Sequence, residues 1–567
     1  MRKGEGLGLV LTALCAAGCV EVAKSRPVAR FPSPDEVAGV QPVPIKAAGH
    51  APVVVDRWDF DLASIPAPVA AASPDDVARM RALVPNAEVS AALACAARAH
   101  ARVLLERGVS PDEAFNEYAA ARCGSTTTHV TIATDRWKNG AALGDDELLA
   151  RTAKSLGKAA ITASPNVQFG AAIERKDEDA VVAIAVTRRD ADVDAWTPPS
   201  AEEKYFWVRG ATRGPVDGLY AAINRGRYAF KRCARDPIPP PRFAFRCPLD
   251  KDDAAAWVDV VATPRGSLLS EPLARVLAVR DGAAAPWESP RDEAASTSDA
   301  TAFSRAVLDH INVVRDEAKL GALSASVEQS QINARLSGAL FNAELSHDRA
   351  TADRLALSLL AGWGVRGAIR EGNVYTALAP GLDPRRWVRR VVDYPFGRMV
   401  LLDPNKSVIA VGSSLTESGD GAGAAVTTYA LYDARAHAAD KRGLYAALDA
   451  ERAAKGLGPS VETGFDEAER AAAQVAEGVE PMEAARSAVA RASERLGKAV
   501  AVWVFETTSL EALKLPKELL DRTPPRVAFA VTHHRVPGAA WGQYVVFVFA
   551  VDLGRVQEAR AGSFERD

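Results

Sequence analysis

The chain has 567 residues, 48% of them hydrophobic and 25% charged, and a net charge of −3. That is the composition of an ordinary globular protein, and its near-neutral balance excludes a global field that would draw in nucleic acid. At roughly 100–200 residues per domain, the length predicts several domains rather than one large core.

Arg2 and Lys3 precede an apolar run from Gly6 to Ala17, which has the length of a signal-peptide core and is too short to span a bilayer. The run ends in Ala16-Ala17-Gly18-Cys19, which resembles the lipobox of bacterial lipoproteins, with Ala16 where that family usually carries Leu. The resemblance implies that residues 1–19 are a lipoprotein signal peptide, that Cys19 becomes the lipidated N-terminus, and that the membrane is reached through this anchor. The alternative is an ordinary cleaved signal with an incidental cysteine. Val20 follows, not the Asp that marks inner-membrane retention in some bacteria, so the expected location is the cell envelope, at the outer membrane or cell surface. Outside the leader four cysteines remain, Cys95, Cys123, Cys233 and Cys247. In an oxidising compartment an even number reads as disulfides, and sequence neighbourhood favours Cys95–Cys123 and Cys233–Cys247 over unpaired thiols. No CxxC or Cys/His cluster points to zinc.

Residues 20–72 are rich in Pro, Ala and Val, as expected of an extended tether, although VVVDRWDF (Val53–Phe60) has the composition of an edge strand. Ser73-Pro74-Asp75-Asp76 reads as a helix N-cap with Pro in the first turn. A first domain, 73–195, then holds a helix over Val89–Arg107 that stops at Gly108. A second helix starts at Ser110-Pro111-Asp112-Glu113, followed by a strand HVTIAT (His129–Thr134) and a helix over Asp145–Lys154. It closes on VQFGAAI, a charged turn and AVVAIAV, a hairpin by its apolar positions. Trp196–Ser200 is a linker. Residues 203–283 change character to short β-type runs (FWVRG, RYAFKRC, PRFAFRCPL, AAWVDVVA) and predict a small disulfide-stapled β module, with Glu271–Val279 open to reading as a closing helix. Asp281–Ala300 is a second polar linker.

Two further segments follow, 300–434 and 440–555. Each opens on a helical phrase, INVVRDEAKLGAL (Ile311–Leu323) and LDAERAAKGLGPS (Leu448–Ser460), and closes on a β hairpin, SVIAVGSSL with AAVTTYALYD and RVAFAV with YVVFVFAV. The first domain closes in the same way. Its helix–Gly–Val–Pro–helix phrase at Ala97–Phe115 lines up with Ala468–Ala485. Agreement in order as well as pattern indicates a repeat.

The 300–434 segment resembles the superfamily of cysteine-rich secretory, antigen-5 and pathogenesis-related proteins (CAP, or SCP-like). The resemblance rests on HINVVRDEAKLGAL, SHDRATADRL (Ser346–Leu355), Glu371-Gly372-Asn373, Trp387, Pro395-Phe396-Gly397-Arg398 and Leu401-Leu402-Asp403-Pro404, in that order. It implies an α-β-α sandwich for each copy, so the fold class is α+β: repeated CAP-like domains plus a small β-rich module, the outer copies degenerate. The family's cleft uses two His and two acidic residues able to hold a divalent metal. Here His347 matches the first His, Glu371 stands one residue off the usual Glu, and the second His falls on Gly397. His347 and Glu371 are thus the candidate catalytic residues and His347 the candidate metal ligand, but a site lacking a ligand binds metal poorly. No other cofactor is indicated. The function expected is a non-catalytic extracellular binding or scaffold role toward a lipid, glycan or envelope-protein ligand. The alternative is a metal-assisted, peptidase-like hydrolase using the central cleft.

Three other features are less informative. His533-His534 cannot share an ion on one strand, because adjacent residues face opposite sides. Arg385, Arg386, Arg389 and Arg390 read as a solvated helix face beside Trp387. Gly419–Gly423 lacks the Lys-Ser/Thr of a phosphate loop and reads as a hairpin turn.

Overall fold

The computed structural model describes residues 20–24, 31–46, 55, 57–60, 88–155 and 166–551, apart from 266, 268, 284, 289–295, 347, 521–524 and 537. The leader with Cys19, the Ser73–Asp76 cap and His347 lie outside the described residues. The chain divides into two compact units, one of Met1–Glu36, Leu360–Gly372 and Tyr429–Asp567, the other of Val37–Leu359 and Asn373–Thr428. The class is α+β, with helices in both units, a five-stranded sheet in the first and several small sheets in the second.

In the second unit, the sheet of the first segment runs in the order Glu88–Val89, Val167–Lys176, Asp179–Arg188, Thr131–Trp137. The short edge strand pairs parallel and the hairpin antiparallel. The helix Ala91–Arg107 begins at Ser90, whose hydroxyl accepts the Leu93 N–H, and stops at Gly108 in the left-handed region (φ 74°), as its sequence predicts. It rests directly on the hairpin because Gly170 leaves room: a Cβ there would lie 2.1 Å from Ala94 N.

The β module is two packed four-stranded sheets around Phe206, Val208, Phe243, Phe245, Val258 and Val260, stapled by Cys233–Cys247. It starts earlier than residue 203, since Ala191–Val193 pairs with Tyr205–Thr212. Glu271–Val279 is a strand, antiparallel to Ala255–Pro264, and not a helix. A short apolar run buried on both faces lacks the alternation that would have separated the two.

The central segment packs helices Ala300–Glu317 and Val327–Leu345 on a sheet of order Ser324–Ala325, Val408–Leu415, Gly421–Leu431, Ile369–Pro380. Its core gathers Phe303, Ile311, Trp387, Val391, Leu401 and Ile409. Pieces of the expected tether are ordered against this unit. Ile45 bridges to Thr416 and is fully buried, while Arg57–Trp58 pairs with Trp287–Glu288 in the expected second linker. Trp58, Phe60, Phe115, Tyr118 and Trp287 form one aromatic cluster, which supplies the burial that fixes both stretches.

In the first unit, the sheet order is Val20–Lys24, Ala501–Thr507, Gln543–Val551, Arg526–His534, Val461–Glu462. Helices Asp466–Ala476 and Pro481–Leu496 cover one face through Ala471, Ala488 and Phe547. Helix His437–Ala454 covers the other through Leu448, Phe529 and Val548. The helix expected near Ala512–Leu520 is only the 3-10 turn Lys517–Leu520, since Pro516 disfavours helix for the residue before it and removes an N–H.

Candidate functional site

The most concentrated chemistry among the described residues lies in the second unit, on the helix Glu113–Arg122. Asp112 caps it, with Oδ1 accepting the Phe115 N–H at 2.9 Å. One helical turn apart, Glu113 and Glu117 share a face. Cys123, at the C-cap, is bonded to Cys95. The chain then returns to His129, whose carbonyl accepts from Thr187 Oγ1. His129 Nδ1 lies 2.9 Å from Glu113 Oε1 and 3.4 Å from Glu117 Oε1.

Two other stretches of the chain complete the cluster. From the β module, Arg275 is 6% exposed and donates from Nε to Asp259 Oδ1 at 2.8 Å and from Nη1 to the Thr128 carbonyl at 3.2 Å, with Glu117 Oε2 at 3.5 Å. From the central segment, the Tyr394 ring centroid lies 3.5 Å from the Arg275 guanidinium, and its hydroxyl donates to Glu117 Oε2 at 2.5 Å. Asp259 Oδ2 accepts the Phe396 N–H at 3.0 Å. Arg390 Nη2 lies 2.6 Å from Glu113 Oε2 and 3.6 Å from Glu117 Oε1, and Arg386 pairs with Asp112. The arginine face beside Trp387 is therefore an ion-pairing face at Arg386 and Arg390, not a solvated one. Asp383 caps this helix and Trp387 anchors it, donating to the Ala377 carbonyl.

These groups set one another's protonation. Burial would raise the Glu113 and Glu117 carboxyls, but Arg390, His129 and, for Glu117, Arg275 hold both below the usual carboxylate range. Attraction to Glu113 leads in pushing His129 up to about 10, against the cost of desolvation. Its side chain is 64% exposed, so solvent screens part of that attraction. Burial lifts the Tyr394 hydroxyl well above its ordinary value and Tyr375 to about 12. Glu344, which accepts from Thr376 Oγ1 at 3.3 Å, is raised to about 7 by desolvation, although it retains solvent access. Glu113, Glu117, His129, Arg275, Arg390 and Tyr394 thus form one cluster drawn from three stretches of the chain. Carboxylates, guanidiniums and an imidazole balance there, and the arrangement can bind or clamp polar groups.

No protein-family model matches this chain, and no curated protein matches it. Solved structures similar to it include an extracellular protein containing a SCP domain from Bacillus anthracis, 12% identical with a TM-score of 0.19. That match covers 32% of this chain and 66% of the other, so the chain spans just under two thirds of that structure. A cysteine-rich secretory protein from Staphylococcus aureus is 8% identical with a TM-score of 0.18, over 42% of this chain and 84% of the other. Among the described residues, no helix is long and apolar enough to cross a membrane.

Of the residues singled out from sequence, Cys95–Cys123 and Cys233–Cys247 are bonded as expected. Glu371 is exposed on the strand Ile369–Pro380. Gly397 is buried, and a Cβ there would meet the Val391 carbonyl oxygen at 1.8 Å, so no histidine fits. Its neighbour Arg398 is buried too, donating to the carbonyls of Val392 and Ala229 at 2.6 Å each. His533 and His534 sit on one strand with different partners, His437 Nε2 at 2.9 Å and Glu506 Oε2 at 4.0 Å. Sequence reasoning missed Glu113, Glu117, His129 and Arg275. The i, i+4 glutamates behind a helix cap were a visible signal, but nothing local ties them to an arginine more than 150 residues away.

Proposed function

We propose that this is a non-catalytic binding or scaffold protein of the bacterial cell envelope, exported, lipid-anchored through Cys19 and built on SCP-like segments. The observation that carries this reading is Arg275. One buried guanidinium joins the β module, through Asp259, to the first segment, through Glu117 and Thr128, and to the central segment, through Tyr394. Buried ion pairs of this kind are weak sources of net stability and are used to fix one arrangement of parts. A polar joint that locks three stretches together suits a protein whose task is to present surfaces in fixed relation. The two disulfides support export to an oxidising compartment. The absence of room for a side chain at Gly397 argues against a metal-assisted hydrolytic centre in the central segment.

The test pairs two assays on the full chain. Co-sedimentation with envelope fractions should recover a saturable partner, and a ligand that binds the native state should raise the melting temperature. A broad panel of peptide, ester and glycan substrates should show no turnover. Turnover abolished by His347→Ala would replace this reading with the hydrolase.

A further inference from the structure

We propose that Glu113, Glu117 and His129 form a binding site for a divalent transition-metal ion of the zinc class. None of the three falls on the motif positions of the central segment, and the inference does not depend on the scaffold reading.

The argument is geometric. In a tetrahedral shell, ligand atoms about 2.0–2.2 Å from one metal ion lie about 3.3–3.6 Å from one another, so the pair at Glu113 would open slightly around an ion. His129 Nδ1 is 2.9 Å from Glu113 Oε1 and 3.4 Å from Glu117 Oε1, and one ligand atom from each of the three residues fits within a span of 4.8 Å. The second oxygen of each carboxylate is held from outside, as ligating carboxylates are. Glu113 Oε2 lies 2.6 Å from Arg390 Nη2, and Glu117 Oε2 accepts from the Tyr394 hydroxyl at 2.5 Å with Arg275 Nη1 at 3.5 Å. Both Oε1 atoms are thereby turned toward the imidazole nitrogen. Arg390 also approaches Glu117 Oε1, at 3.6 Å, and would stay in place as an outer partner. The His129 side chain is 64% exposed, so an ion has an entry path.

His129 Nδ1 faces Oε1 of both carboxylates, so a proton carried there would point between them. An entering divalent ion displaces that proton, bonds to the freed nitrogen lone pair and to both Oε1 atoms, and leaves coordination open to water. Glu344 stands close enough for its charge and that of His129 to act on each other. The mixed imidazole and carboxylate set suits zinc better than magnesium or calcium, which prefer all-oxygen shells.

The experiment uses the full chain stripped of metal with a chelator and titrated calorimetrically with ZnCl₂ or MgCl₂ near pH 7.5. One zinc per chain should bind with release of a proton, at least tenfold more weakly in His129→Asn and Glu113→Gln and unchanged in His533→Asn. Magnesium should bind far more weakly. On the wild type, zinc should shift the His129 imidazole resonances in NMR spectra, so the outcome does not hang on how the variants fold. Absence of zinc binding, equal affinity in His129→Asn, or His129 resonances unmoved by zinc would overturn the proposal. Loss of binding only in His533→Asn would do the same, by assigning the ion to the His437–His533 pair.

Discussion

The segments that open at Ala300 and at His437 share one frame and differ in what is built on it. In the first, Asn312 Oδ1 accepts the Leu323 N–H, and Arg315 Nε and Nη1 donate to the carbonyls of Gly321 and Leu401 at 2.8 and 2.7 Å. In the second, Asp449 Oδ1 accepts the Ser460 N–H, and Arg452 Nε and Nη1 donate to the carbonyls of Gly458 and Leu519 at 2.7 and 2.5 Å. Each arginine is almost fully buried, and each pins the end of its helix both to the loop that follows and to a carbonyl much further along the chain. Yet the central segment goes on to supply Arg386, Arg390 and Tyr394 to a carboxylate cluster, while the corresponding stretch of the other segment is the 3-10 turn Lys517–Leu520. The frame recurs in both segments. The cluster is a joint, made only where another part of the chain brings matching charge.

Substitutions at the two kinds of arginine separate these roles. Arg275→Leu should produce the largest loss, about 3–5 kcal/mol, because it leaves Asp259 and Glu117 buried without their partner. Urea unfolding should show that loss in the transition of the second unit alone. A shift of equal size in both units would mean the joint is not a separate device. Next, Arg315→Leu and Arg452→Leu should each cost about 2–4 kcal/mol by leaving buried carbonyls unpaired. Similar values, each confined to its own unit, would confirm a common frame, whereas a neutral result at either one would break the parallel.

A pH effect should follow in the first segment. His100 is 1% exposed, with Nδ1 2.7 Å from Asn116 Oδ1, and burial lowers it to about 4. Its contribution is complete above the unfolded value of about 6.5 and is lost as pH falls toward about 4, because the unfolded chain binds the proton the folded one refuses. Over that window the second unit should lose up to about 3 kcal/mol more than a His100→Gln variant does, measured by thermal melts at stepped pH. The smallest effect is expected on the surface. Arg136, 2.7 Å from Asp179 but 40% exposed, should change stability by less than about 1 kcal/mol when replaced by Ala, and less again in high salt.

How far the sequence could be read follows from the range of the forces involved. The Ala91–Arg107 helix and its Gly108 stop, the closing hairpins and both disulfides were legible, because caps, turn residues, alternation and short cysteine spacings are local signals. The strand Glu271–Val279 was ambiguous because burial on both faces erases alternation. The tether reading failed at Ile45, whose partner Thr416 lies far along the chain, whereas the edge-strand composition of Val53–Phe60 foreshadowed the strand Arg57–Trp58 but not its partner Trp287–Glu288. The candidate site divides in the same way. That Gly397 lacks a ligand atom was plain from its identity, but that no other residue fits there depends on the Val391 carbonyl.

By itself, then, the sequence determined the class, the closing hairpins and the cysteine pairs, all set by periodicity, turn residues and short spacings. Only the tertiary structure decided that Glu113, Glu117 and His129 meet Arg275, Arg390 and Tyr394. Burying charge is tolerable only in pairs, and which charges become partners is settled when distant segments pack, not by any pattern along the chain.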